Sequence, residues 1–183
     1  MALKSTVYKF DLNVADLDRQ VYGDFPLTLA RHPSETEARM MLRLLAFALN
    51  ASPDLEFGRG ISTDGEPDLW RKSLSGNIEQ WIELGTPDPE RLRKACGRAR
   101  EVRLYCFGDR ATPVWWEKHS GGLARFSNLR IWQIPDASVE ALASLAVTGT
   151  AVQCTIESGV AWVSARDQSI QVAPSSLHRD SGG

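Results

Sequence analysis

The sequence predicts a single α/β domain: a mixed sheet core flanked by helices, with additional strands at both ends of the chain. Three observations carry this expectation. The length, 183 residues, suits one domain with a proper core. Hydrophobic residues make up 43% and charged residues 24%, an ordinary globular balance. The middle of the chain alternates helix-period segments with short continuous apolar runs, the pattern of buried strands covered by helices. The domain is expected to fill residues 1–174, and the polar end SSLHRDSGG, residues 175–183, to be a disordered tail.

The elements follow in order. Residues 3–14 alternate loosely through Leu3, Thr6, Tyr8, Phe10, Leu12 and Val14 and read as a strand. Residues 21–30 are expected to pair with it across the turn DLDR. A helix is expected from Ser34 to about Asn50, with Ser34 and Glu37 in a capping-box pattern after Pro33. From Met40 to Leu49 only Arg43 is strongly polar, and a helix apolar nearly all round is usually buried on more than one side. Residues 55–86 are strand-like and rich in turn residues. Asp88 caps a second helix with Pro89 in its first position, and Leu92, Ala95, Cys96 and Ala99 form its apolar stripe. VRLYCF (102–107) and LRIWQI (129–134) read as buried strands, with short helices at 113–119 and 136–146. Residues 150–173 close the chain as two or three strands that turn at Ser158-Gly159.

Composition narrows the function classes. A net charge of −2 gives no global basic field, so a nucleic-acid partner would need a local patch. Cys96, Cys106 and Cys154 are widely spaced and form no Cys-x-x-Cys, and His32, His119 and His178 lack ligand-like spacing, which argues against a zinc site or a disulfide framework. MALKSTVYKF has no apolar signal core and no run approaches membrane-spanning length, so a cytoplasmic protein with no membrane association is expected. Most of the six Trp should be core.

The stretch GEPDLWRKSLSGNIEQWIELG, residues 65–85, is the most informative for chemistry. Read as a hairpin with a Leu74–Asn77 loop, it sets Lys72 opposite Glu79, Trp70 opposite Trp81 and Asp68 opposite Glu83, with Glu66 on the same face by alternation. An ion pair and an aromatic pair stabilise such a hairpin. Two opposed carboxylates destabilise it unless something neutralises them. A divalent metal such as Mg2+ or Mn2+ is one neutraliser, and it makes a bound water acidic enough to attack a phosphodiester. The alternative is that Asp68 and Glu83 lie at a solvated strand end. Against it, Glu83 sits within Trp81-Ile82-Glu83-Leu84, where a buried strand normally carries an apolar residue. A third carboxylate is expected from the first helix. Glu37 shares the face of Met41 and Leu44, while Glu35 lies on a different face, and each also has an ordinary role as a cap or first-turn acid.

Two resemblances attach to these residues. Pro67-Asp68 followed by Glu83 resembles the PD-(D/E)XK signature of the restriction-endonuclease-like nucleases. Over almost its whole length the chain resembles the YaeQ family of bacterial proteins. This rests on ALKSTVYK, ARHPSETEARMMLRLLAFAL, EPDLW, WIELGTPDPERLRKA and SGVAWVS. The family looks like a variation on the restriction-endonuclease-like fold, with one helix before the acidic strands and another after. The resemblance implies metal ligands among Glu83, Asp68, Glu66, Glu37 and Glu35. It leaves Glu66 and Asp68 as rivals for the first acidic position. The lysine expected two residues after Glu83 is replaced by Gly85, with Lys72 and Lys94 as candidate substitutes.

Arg91, Arg93, Lys94, Arg98, Arg100 and Arg103 crowd one helix and its exit, either as a phosphate-contacting surface or as a solvated helix back. Trp115-Trp116 would stack bases or pack the core. Three functions follow as expectations. One is a metal-dependent phosphodiesterase acting on nucleic acid, with Glu83, Asp68 or Glu66, and Lys72 as catalytic residues. Another is a catalytically inactive relative that binds nucleic acid or a protein, with transcription regulation as one setting. The third is a structural domain that binds metal for stability.

Overall fold

The two ends of the chain build one sheet and its middle builds another. The computed structural model describes residues 4–59 and 65–178. Leu3, residues 60–64 of the turn-rich stretch and residues 179–183 of the expected tail lie outside the described residues. Strands β1 (Thr6–Asp16) and β2 (Val21–Arg31) form a long antiparallel hairpin in unbroken register from Thr6↔Arg31 to Asp16↔Val21. Its alternation buries Phe10, Leu12, Val14, Leu27 and Leu29 on one face. Strand β8 (Thr150–Glu157) returns parallel to β1, and β9 (Val160–Ala165) and β10 (Gln168–Val172) complete the order β10-β9-β8-β1-β2.

The second sheet runs β11-β7-β6-β5-β4-β3. Its strands are β3 (Leu55–Phe57), β4 (Leu69–Lys72), β5 (Ile78–Leu84), β6 (Ala99–Phe107), β7 (Leu129–Ile134) and β11 (Ser175–His178). The pairs β3-β4 and β4-β5 are antiparallel, whereas β5, β6 and β7 run parallel, linked by α2 (Pro89–Arg98) and α3 (Ala111–Leu123). As expected from sequence, Asp88 caps α2 by accepting from Glu90 N, with Pro89 in the first position.

Helix α1 (Glu37–Leu49) lies between the sheets and packs beside α4 (Asp136–Ala143). Every residue from Met40 to Ala48 is buried. This is the physical meaning of its near-continuous apolar run: the helix has a sheet on either side. One core joins the inner face of the first sheet, α1, and Leu69, Ile82, Leu84 and Tyr105 of the second. A separate core on the far face of the second sheet joins Trp81, Val102, Leu104 and Ile131 to Leu92 of α2 and Leu123 of α3.

Three expectations need correction. The first helix is capped by Thr36, whose side chain accepts from Arg39 N at 3.1 Å, not by Ser34, whose hydroxyl meets His32 Nδ1 at 2.6 Å. The hairpin contains a β-bulge: Trp70↔Trp81 holds, but Lys72 pairs with Ile78, leaving Glu79 as the extra residue. The expected Lys72–Glu79 ion pair is therefore replaced by Lys72 over the Trp70 ring at 3.7 Å and by Glu79 with Arg100 at 3.5 Å. Residues 175–178 are not tail but strand β11, which covers the edge of β7, packs Leu177 on the second core and sets the His178 ring beside Trp116. Composition alone could not distinguish a polar tail from a polar edge strand.

Truncating the chain after Pro174 removes β11 and opens the β7 edge. The expected result is a loss of about 1–2 kcal/mol in urea unfolding from the uncovered Leu177 contact, with concentration-dependent association in light scattering.

Candidate functional site

Of the expected site residues, Glu35, Glu37, Asp68 and Glu83 lie around the N-terminus of α1 and the facing ends of β4, β5 and α2, whereas Lys72 lies at the opposite end of β4. Glu35 precedes the first turn of α1, so helical periodicity does not govern where it points. It turns inward and is only 3% exposed, while Glu37 in the first turn is exposed and accepts from Tyr8 OH at 3.5 Å. This reverses the placement expected of the two acids.

Glu35 is met by two guanidinium groups. Arg43 donates Nε to Oε1 at 2.9 Å and Nη2 to Oε2 at 2.7 Å, a bidentate pair buried within the core. Arg39 donates Nη1 to Oε1 at 3.1 Å and, with Nη2, reaches Asp68 Oδ1 at 3.0 Å. Burial opposes the Arg39 charge, but Asp68 and Glu35 outweigh it and raise its pKa. The second oxygen of Asp68 accepts from Leu84 N at 2.9 Å. Asp68 thus sits one residue before β4 and completes the ladder of β5 with its side chain.

Glu83, 5% exposed, faces α2 beside Trp81. Its Oε1 accepts from Trp81 Nε1 at 2.9 Å and from Arg91 Nε at 2.8 Å. Burial is the main cause of its raised pKa and the Asp68 charge adds to it, against the pull of Arg91 and the Trp81 bond. The carboxylate of Glu66 is held elsewhere, by Arg59 through its N at 2.9 Å and its Nε at 3.3 Å. Of the two rivals, Asp68 is the one whose charge Glu83 feels.

The cationic candidates are placed as follows. Lys72 is exposed on the Trp70 ring, and Lys94 is exposed on α2. Gly85 has φ +99°, a left-handed conformation that a lysine would adopt only with strain. Several members of the basic helix are engaged internally. Arg91 bonds Glu83 and the Glu66 carbonyl, Arg93 pairs with Glu90, and Arg98 bonds the Gly65 carbonyl with its guanidinium 5.1 Å over the Trp81 ring. Arg103 bonds Glu101 and Asn50. Trp115 donates to the Pro87 carbonyl and packs against the second core beside Trp116, a helix-packing role for the pair.

Among the described residues no group of three or more His, Cys, Asp or Glu side chains is arranged to hold a metal ion. Glu35, Asp68 and Glu83 are each bonded to a guanidinium, so in this arrangement the donor set does not fit the divalent cation that the nuclease resemblance implies. Sequence reasoning missed Arg39 and Arg43 as counter-ions. Arg43 did leave a signal, as the one strongly polar residue in an apolar helix.

Arg43→Ala leaves Glu35 buried with half its neutralisation gone. The expected loss is about 3–5 kcal/mol in urea unfolding, with a smaller loss in the double variant Glu35→Leu/Arg43→Met, which removes both charges. Glu83 behaves differently. Its folded-state pKa lies above the ordinary value, so the folded protein binds more protons than the unfolded chain between those values, and stability on this account falls as pH rises through that window. Glu83→Gln should therefore raise Tm at neutral pH, with the gain shrinking as pH falls to the ordinary carboxylate range. Thermal melts across pH check this.

Comparison with known proteins places the chain. The family model described as YaeQ protein matches residues 1–174. The YaeQ proteins of Salmonella typhi and Escherichia coli K12 are each 44% identical over 172 residues, covering 94% of this chain and 95% of theirs. The crystal structure of YaeQ from Xanthomonas axonopodis pv. citri has 43% identity and a TM-score of 0.93, covering 96% of this chain and 99% of that one. That of YaeQ from Pseudomonas syringae has 39% identity and a TM-score of 0.90, with coverage of 94% and 96%. With its mixed α/β architecture of two mixed sheets and four helices among the described residues, the chain belongs to the YaeQ family.

Proposed function

We propose that this protein is a non-catalytic nucleic-acid-binding member of the restriction-endonuclease-like fold. The element order supports the fold reading: α1, the antiparallel strands β3, β4 and β5, then α2 and the parallel strand β6, with Asp68 entering β4 and Glu83 within β5. One observation carries the loss of turnover. The carboxylates a catalytic metal would need are bonded to Arg39, Arg43 and Arg91. The left-handed backbone at Gly85 also disfavours the lysine that would orient a nucleophile. For the bound partner, α2 borders a cavity of about 720 Å3 whose wall includes Trp81, Arg91, Lys94 and Arg98. Phosphate contacts there would draw on Lys94 and on the outer atoms of the two arginines.

A second reading, an Mg2+- or Mn2+-dependent phosphodiesterase, is favoured by one observation: Glu83 is buried, and burial and the neighbouring Asp68 both disfavour its charge, a condition that a cation would relieve.

Fluorescence anisotropy with single- and double-stranded DNA and RNA in EDTA tests the first reading. Binding should weaken with salt, and Lys94→Ala should reduce the slope of log K against log salt by about 1. Absence of binding to all four removes the nucleic-acid assignment. Cleavage in Mg2+ or Mn2+ that disappears in Glu83→Ala, or a manganese-induced rise in Tm lost in the same variant, replaces the first reading by the second.

A further inference from the structure

The N-terminal ends of the parallel strands carry a second polar site, away from the carboxylates already described. The register of the second sheet sets Arg71, Gln80 and Glu101 in one row across β4, β5 and β6, and Arg103 and Arg130 in the next row across β6 and β7. Paired residues share a face, so these side chains project from the same side of the sheet. The bulge at Glu79 brings one more carboxylate to this place. Arg71, Glu79, Arg100, Glu101, Ser127 and Arg130 line a cavity of about 440 Å3.

The charges here do not balance. Glu101 is held by Arg103 at 2.7 Å, and Glu79 meets Arg100 at 3.5 Å. Each carboxylate has its own cation. Among the described residues Arg71 and Arg130 have no ion-pair partner, although both border the same cavity. Two arginines without a carboxylate partner beside one cavity leave positive charge that an anion would offset. The frame is also rigid. Arg103 donates to Asn50 Oδ1 at 2.6 Å, Asn50 is buried at the end of α1, and the Arg103 guanidinium lies 5.7 Å over the Trp132 ring.

We propose that this cavity binds a hydroxylated phosphate monoester, with Arg71 and Arg130 gripping the phosphate and Glu79 and Glu101 accepting from its hydroxyl groups. Two uncompensated guanidinium groups match a dianionic phosphate, and the planar fork of arginine suits its oxygens. The carboxylates on the same wall disfavour a run of internal phosphodiesters but serve as acceptors for sugar hydroxyls. The volume falls in the usual range for a small-ligand pocket. A free nucleotide and the 5′-phosphorylated end of an oligonucleotide share this chemistry.

The test is isothermal titration of the full chain with inorganic phosphate, a nucleoside 5′-monophosphate and its parent nucleoside. A 5′-phosphorylated oligonucleotide and its unphosphorylated counterpart distinguish the two sources. The expected result is binding of the monophosphate, weaker binding of inorganic phosphate and none of the nucleoside, with at least tenfold loss in Arg71→Ala and in Arg130→Ala. Because both arginines lack an ion-pair partner, their variants should melt at or above the wild-type temperature, which separates loss of binding from loss of fold. No binding by the wild type, unchanged binding in both variants, or a loss seen instead in Lys94→Ala overturns the proposal.

Discussion

The structure depends on a helix with a sheet on either side that must nevertheless carry a charge. From Met40 to Ala48 helix α1 has no solvent face, yet Arg43 lies within it. A guanidinium in that position is tolerable only with a carboxylate in bidentate contact, and Glu35 supplies it from just outside the helix. Glu35 in turn engages Arg39, Arg39 engages Asp68, and Asp68 closes onto the backbone of β5. The ion pair that makes α1 buriable is therefore continuous with the bonds that tie the helix to the second sheet.

This coupling bears on function. A nuclease centre holds carboxylates ready for a cation and accepts the repulsion between them. In this chain arginines neutralise the carboxylates, and the acids bind parts of the fold together. Glu83 departs from that pattern: it is bonded, but burial and Asp68 leave it less comfortable than its neighbours. A residue kept against its own stability usually reports on a use for its charge, past or present. The basic helix teaches a related lesson. Arg91, Arg93, Arg98 and Arg103 look like a free positive surface when counted, but each is committed to a partner within the chain. On α2 Lys94 carries exposed positive charge, and on the other face of the sheet Arg71 and Arg130 border a cavity without an ion-pair partner among the described residues. The thiols have no comparable prospects. Burial pushes Cys96 up to about 11 and Cys106 and Cys154 up to about 12, so all three act as small packing groups.

Much of the architecture was readable in the residues, because local rules decide it. Alternation in β1 and β2, the Asp88-Pro89 start of α2, the continuous apolar runs of β6 and β7 and the all-round apolar face of α1 each follow from a period or a cap. The pairing of Trp70 with Trp81 also matched the expectation, but the loop is one residue longer than Leu74–Asn77 and the bulge restores the register. The bulge at Glu79 was not readable, because one extra residue leaves no mark on composition.

By itself the sequence determined most of the elements, their order and the membership of the chain in its family, since these rest on short-range stereochemistry and on a long matching pattern of residues. The tertiary structure alone decided which acids meet which bases. Glu35 and Arg43 are eight residues apart and Asp68 and Arg39 are 29 apart, and whether such side chains meet depends on how sheets and helices stack. Long charged side chains can satisfy themselves in many ways, and only the packed neighbours and their burial select one.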